Sequence, residues 1–215
     1  MASYNKRGSL KLDQYPEPFV GNFNKAKVLI LGGNPGYDAH DSFLLQNAGV
    51  RKAFESIIIQ SYYPYSPQTT FYWLNDKIRN SIQQIIQNNL GQDIKNFSGF
   101  EWWEKRTREL VQTCGKQNVG EGICYIDFYP YHSANLSISG AMKNLPSSLQ
   151  IDTIIYNAIK NNKIIVITRA KAAWKKRIPI LNTYCKVIEL KNPRCAYITS
   201  GNMEECQWKT LIYNL

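Results

Sequence analysis

The stretch KVLILGGNPGYDAHDSF, residues 27–43, decides how the rest of the chain reads. Val28 to Leu31 is an unbroken apolar run, the pattern of a strand buried on both faces. It runs straight into Gly32, Gly33, Asn34, Pro35 and Gly36. Glycines there permit close backbone approach, and Pro35 stiffens the turn. The turn is either a plain connection or the floor of a site. It is not a phosphate loop: it matches neither G-x-x-x-x-G-K-[ST] nor G-x-G-x-x-G, and no Lys follows to grip a phosphate.

Outward from this stretch, strand-like runs recur at GICYIDFYPY (residues 122–131, the strand ending near Phe128), KIIVIT (163–168) and KVIEL (186–190). Between them lie segments of helical period, among them 42–60, 71–91, 100–115, 148–162, 170–177 and 203–214. In 71–91 the stripe Leu74, Ile78, Ile82, Ile85, Ile86 closes at Gly91, as an amphipathic helix with a glycine C-cap should. Strands separated by helices, without hairpin signals, predict a three-layer α/β/α fold around a central, mainly parallel, four-stranded sheet. Ligands of such sheets bind outside the carboxyl ends of the strands. That directs attention to GGNPGYDAHD, DFYPYHSAN and KNPRCAYITSGN, each of which follows a strand.

Composition narrows the class. The 215 residues are 44% apolar and 13% aromatic, enough for a substantial core in one domain spanning 1–215. Residues 1–25 are polar, with Pro16 and Pro18, and read as an arm packed over that domain. No apolar run is long enough to span a bilayer and no signal peptide is visible, so a cytoplasmic, soluble protein without a membrane partner is expected. Five cysteines without any C-x-x-C pair give no metal or disulfide framework, and no cofactor is expected. Lys plus Arg exceed Asp plus Glu by 26 − 16 = 10, which favours polyanionic partners, nucleic acid first. The densest basic clusters are Lys171, Lys175, Lys176, Arg177 and Lys105, Arg106, Arg108. Both histidines, His40 and His132, fall in strand-end segments.

LILGGNPG resembles the first motif of the uracil-DNA glycosylase superfamily, in the G-x-N-P-G form of its mismatch-specific and single-strand-selective branches. LKNPRCAYITSGN is similar to the second motif, where [HN]-P-S opens the loop that enters the DNA helix. YIDFYPY stands where the family's strand end reads the flipped base, with Pro130 where one branch has its own Pro. IIVITRAKAAWKKR resembles the next strand–turn–helix. The resemblance covers roughly residues 26–215, in order, with a long interval that implies an insertion at about 60–100.

It implies a monomeric DNA glycosylase that hydrolyses the N-glycosidic bond of a deaminated or mismatched base flipped out of DNA. Asn34 would hold the attacking water, and Asn192 would donate to the departing base. Gly33, Pro35, Gly36, Tyr37, Phe43 and Asp127 would line the base pocket. Gly36 replaces a bulky residue that excludes thymine, and Tyr37 is placed to refill that space. Phe43 would stack on the base. His132, Arg194, Tyr197 and Lys171 would contact DNA, with Tyr197 as the wedge. Two departures stand out. Asp127 replaces the usual Asn: ionised, it only accepts, which shifts preference from uracil toward a guanine-like edge, and protonated by burial it restores the Asn pattern. Arg194 replaces the usual Ser.

Two other readings stay open. One is a non-catalytic nucleic-acid or nucleotide-binding module of the same fold. The other is a different α/β enzyme in which the glycine-rich turn cradles a ribose or phosphate. The aromatic cluster Tyr62, Tyr63, Tyr65, Phe71, Tyr72 and Trp73 would either stack on unpaired bases or pack the insertion onto the domain.

Overall fold

In the computed structural model, which describes residues 11, 13–61, 71–133 and 146–215, five short strands form one mixed sheet in the order β1-β3-β2-β4-β5. The strands are β1 (Phe19–Val20), β2 (Val28–Leu31), β3 (Ile123–Ile126), β4 (Ile164–Ile167) and β5 (Val187–Glu189). The four parallel strands of the sequence reading are present, with Val28 opposite both Ile123 and Ile164. β4 continues the parallel set to β5.

The expectation of four strands needs correction to five, and the fifth, antiparallel strand makes the mainly parallel sheet a mixed one. Part of the polar arm enters the sheet: Phe19 pairs with Ile126 and Val20 with Tyr125, antiparallel. β3 would otherwise present an unpaired edge, and a two-residue strand suffices to cover it. Two residues behind Pro16 and Pro18 are too few to show a period of two in the sequence. β3 also stops at Ile126, so Asp127 begins the turn rather than ending the strand.

Strand alternation divides the core. Val28, Ile30, Ile123, Tyr125, Ile164 and Val166 face one apolar cluster, and Leu29, Leu31, Cys124, Ile126, Ile165 and Ile167 face the other. The helices are α1 (Ala39–Gln46), α2 (Ala48–Ser61), α3 (Asp76–Leu90), α4 (Ser98–Cys114), α5 (Lys116–Gly122), α6 (Pro146–Lys160), α7 (Lys171–Arg177) and α8 (Glu205–Tyr213). α1 to α5 and α8 supply the first cluster, while α6 and α7 supply the second. Among the described residues no helix is long and apolar enough to cross a membrane.

Local signals explain the boundaries. Asn47 separates α1 from α2 because its side-chain oxygen accepts from the Gly49 and Val50 amides, at 3.0 and 3.1 Å, capping the second helix. Asn75 caps α3 through Ile78, and Gly91 ends it at a φ of 120°, a conformation glycine adopts without steric cost. Phe71, Tyr72 and Trp73 are buried against Phe54, Phe100 and Trp103. This part of the aromatic cluster packs the domain; Tyr62, Tyr63 and Tyr65 lie outside the described residues.

Packing demands a glycine at position 32. A Cβ there would lie 1.8 Å from the Tyr125 hydroxyl oxygen and 2.3 Å from Cζ. Tyr125 is buried, with its ring 4.7 Å from that of Trp103, so it has no room to withdraw. Gly32→Ala is expected to lower unfolding free energy by about 2–4 kcal/mol, overpacking plus a displaced hydrogen bond. Urea denaturation checks this; a loss below about 0.5 kcal/mol would show that the hydroxyl does not need the missing Cβ.

Candidate functional site at the carboxyl edge of the sheet

The connection leaving β2 leads to β3 on one side, whereas the connection leaving β4 leads to β5 on the other. The switch point therefore lies between β2 and β4, where parallel sheets open a crevice beyond their carboxyl ends. Here the two chain segments are locked together. The Thr168 amide and hydroxyl both donate to the Leu31 carbonyl, each at 2.9 Å. Trp174, on α7, donates its indole N–H to the Gly32 carbonyl at 2.7 Å. Ala170 holds a left-handed φ of 52° between them, so β4 leaves the sheet through a sharp bend.

Asn34 is fixed at this edge. Its side-chain Nδ2 donates to the Ser133 hydroxyl at 2.8 Å, to the Pro35 carbonyl at 2.8 Å and to the Ser133 carbonyl at 3.3 Å. Two of these acceptors are carbonyls, which settles the amide's orientation. Its Oδ1 has no partner among the described residues. The side chain thus presents a positioned acceptor and no free donor. Gly33 accepts from the Tyr129 amide and Pro35 from the Ser133 amide, joining the GGNPG turn to the segment after β3. A Cβ at Gly36 would meet nothing within 4 Å, so this position faces open space.

Asp127 is 1% exposed and accepts from the Tyr125 hydroxyl at 2.8 Å. Residues 125 and 127 lie on the same side of the chain, and the hydroxyl reaches across Gly32 to close the pair. Burial pushes the Asp127 carboxyl well above its ordinary range; the Tyr125 hydroxyl opposes that shift, and the nearby Glu17 charge adds to it. A carboxylic acid in that state donates one hydrogen bond and accepts others, as an Asn does.

Glu17, on the arm, is a second buried carboxyl. It accepts from the Trp73 indole N–H at 3.3 Å and lies 3.7 Å from His132 Nε2. Burial pushes it up as well, with His132 pulling the other way. His132 has Nδ1 2.6 Å from the Gly36 carbonyl and Nε2 2.9 Å from the Tyr15 carbonyl. Both contacts are satisfied only when both ring nitrogens carry hydrogen. His132 therefore fastens the arm to the GGNPG turn instead of reaching outward to DNA. Backbone bonds from Lys11 to His132, from Glu17 to Pro130 and from Asp127 to Pro18 complete the clasp.

The remaining candidates are placed differently. Asn192 is exposed, and its Oδ1 accepts from the Arg194 and Cys195 amides at 3.1 and 3.4 Å. It shapes its own loop through these bonds, which leave its Nδ2 donor without a partner among the described residues. Arg194 is exposed. Tyr197 is half-buried, its ring 4.5 Å from the Arg106 guanidinium, so it is stacked on a cation rather than presented as a bare wedge. Lys171 pairs with Glu189, as does Lys175, which ties up much of that basic cluster. Phe43 is 44% exposed on α1, with its ring 6.3 Å from His40. His40 in turn lines a polar groove with Arg79, Gln83, Lys95 and Ser98. Tyr37 carries the Lys11 ammonium over its ring at 4.6 Å.

Sequence reasoning missed Tyr125, Ser133 and Glu17, and saw Arg106 only as a member of a basic cluster. Tyr125 and Ser133 sit within two and one residues of singled-out positions, so adjacency was the available signal. Glu17 is brought in by the antiparallel arm, which no periodicity revealed. Among the described residues no cluster of His, Cys, Asp or Glu could hold a metal ion. No protein-family model matches the chain, and neither a curated protein nor a solved structure does.

The raised Asp127 carboxyl has a consequence for stability. The native state keeps a proton that the unfolded chain releases near pH 3.8. Stability from this group is complete below that value and is lost as pH rises toward the folded-state value. Asp127→Asn keeps the shape and the Tyr125 bond and removes the titration. Its stability relative to wild type is expected to improve as pH rises above about 4. Urea midpoints across that range check this, and a difference constant with pH would contradict it.

Proposed function

We propose that this chain is a uracil-DNA glycosylase-like hydrolase that receives a deaminated or mismatched base, flipped out of DNA, at the carboxyl edge of its sheet. The observation that carries the reading is Asn34, whose amide nitrogen is pinned by two carbonyls and a hydroxyl while its oxygen has no partner among the described residues. A water that accepts no anchoring elsewhere needs such an acceptor to aim a lone pair at the sugar carbon. The amide cannot act as a general base near neutral pH, so the reaction rests on positioning and on stabilising the departing base.

Asp127 in its protonated form supplies the donor–acceptor pattern that the family's Asn supplies. The α/β fold with its five-stranded mixed sheet supports this placement, since Asn34 and Asp127 follow adjacent parallel strands. Asp127 is buried and bonded to the Tyr125 hydroxyl, so the base would meet this pair rather than a free carboxyl. The three-layer superfamily architecture and a monomeric state belong to the same proposal.

A second reading, a nucleic-acid or nucleotide-binding module that does not cut, is favoured by one observation. Asn192 is exposed, with its side-chain oxygen spent within its own loop, so the second motif's donor, its Nδ2, stands outside any buried pocket. Base release from oligonucleotides carrying uracil, hypoxanthine, xanthine or mismatched guanine separates the two. The hydrolase reading expects abasic sites with at least one of these, and about a hundredfold loss in Asn34→Ala with binding retained. Binding without abasic sites on any substrate would replace it with the second reading.

A further inference from the structure

Arg106 projects from α4 toward the same edge. Its guanidinium carbon lies 4.6 Å from the Trp102 ring and 4.5 Å from the Tyr197 ring. The planar cation is thus held between two aromatic faces, which restricts the side chain before any ligand arrives. The backbone reinforces the placement, because the Arg106 carbonyl accepts from the Ile198 amide at 2.9 Å. α4 and the segment after β5 are therefore registered at this residue.

What the arrangement lacks is an anion. Arg106 Nη1 is buried without a hydrogen-bond partner, a costly state for a charged donor. No ion pair with a carboxylate involves Arg106 among the described residues. Burial, and after it the like charge of Arg169, push the Arg106 pKa down, while Tyr197, Cys195 and Tyr125 oppose the shift. Arg169 is exposed in the bend after β4, at the switch point, and its charge also reaches Tyr125 and Asp127. Burial pushes the Asp127 carboxyl well above its ordinary range, against the pull of Arg169. Two guanidinium groups that have no carboxylate ion pair among the described residues, one on α4 and one in the bend after β4, form a site of one sign.

We propose that Arg106 and Arg169 together seat a phosphate group of the ligand, with Trp102 and Tyr197 holding Arg106 in position to receive it. Guanidinium forks match phosphate oxygens in pairs, and a bridging anion removes both the orphaned donor and the like-charge repulsion. The proposal rests on the reading of this edge as a nucleic-acid site, but not on hydrolysis. It moves the phosphate contact from Arg194 and Lys171 to residues on α4 and in the β4 bend. The phosphate could belong to a polynucleotide strand or to a free nucleotide, and the chemistry of recognition is shared.

The test is binding of a labelled single-stranded oligonucleotide, and separately of a nucleoside monophosphate, by the full chain at several salt concentrations. Arg106→Gln and Arg169→Gln are each expected to weaken binding at least about tenfold. Each should also lower the salt slope for the oligonucleotide by about 0.7, the value for one lost phosphate contact on a single strand. Arg108→Gln, the same charge change on the exposed side of α4, should change neither by more than about twofold. Arg106→Lys should recover part of the affinity by keeping the charge without the fork. Arg169 is exposed, so its variant carries the test even where Arg106→Gln fails to fold. Loss for the oligonucleotide alone assigns the seat to a strand phosphate, and loss for both probes assigns it to any phosphate monoester or diester. Wild-type binding of neither probe, or Arg169→Gln indistinguishable from Arg108→Gln, overturns the proposal. Binding that follows the expected pattern without base release leaves the seat standing and removes the hydrolase reading alone.

Discussion

The hydroxyl of Tyr125, lying over Gly32 and donating to Asp127, is the contact on which the carboxyl edge depends. It fixes three things together. Gly32 must lack a side chain, Asp127 must point inward, and β2 and β3 must keep the register that sets Leu31 beside Ile126. Because the pair is buried, its cheapest state is neutral. That one electrostatic constraint decides what Asp127 can offer a ligand, and it makes Arg169 the exposed charge beside it.

The arm supplies the second constraint. Glu17 and His132 are brought together only because Phe19–Val20 completes the sheet against β3. Once there, His132 bonds the carbonyls of both Tyr15 and Gly36, so arm and turn are a single unit. The turn that holds Asn34 is thereby supported from outside, through Ser133 and His132, as well as from the strand behind it. Asn34 is placed by its neighbours rather than by its own rotamer preference, which is what a positioned acceptor requires.

Much of the frame was legible in the sequence. Unbroken apolar runs gave the four parallel strands, because a strand buried on both faces has no polar alternation to confuse its boundaries. Gly91 and the Ile82–Ile86 stripe gave α3 for equally local reasons. The two-residue β1 could not be read, since its pairing is decided by an edge more than a hundred residues away. The GGNPG turn and the segment after β3 meet, Asn34 bonding to Ser133 and the Gly36 carbonyl lying against His132. The side-chain roles did not follow from position. His132 turned inward, Asn192 turned upon its own loop, and Lys171 found Glu189, because each had a nearer partner than any ligand. Arg106 was visible only as one of three basic residues on a helix, and its aromatic sandwich needed the fold to bring Tyr197 alongside.

The central claim is that nucleic acid engages the carboxyl edge of this sheet, around Asn34, Asp127 and the switch point between β2 and β4. Amide chemical shifts followed during titration with a single-stranded oligonucleotide test it most directly. The account predicts that the largest changes cluster at Gly33–Gly36, Asp127–Ser133 and Thr168–Ala170, with Arg106 responding on α4. Changes concentrated elsewhere, such as along α8 or the outer face of α3, with these segments unmoved, would contradict it.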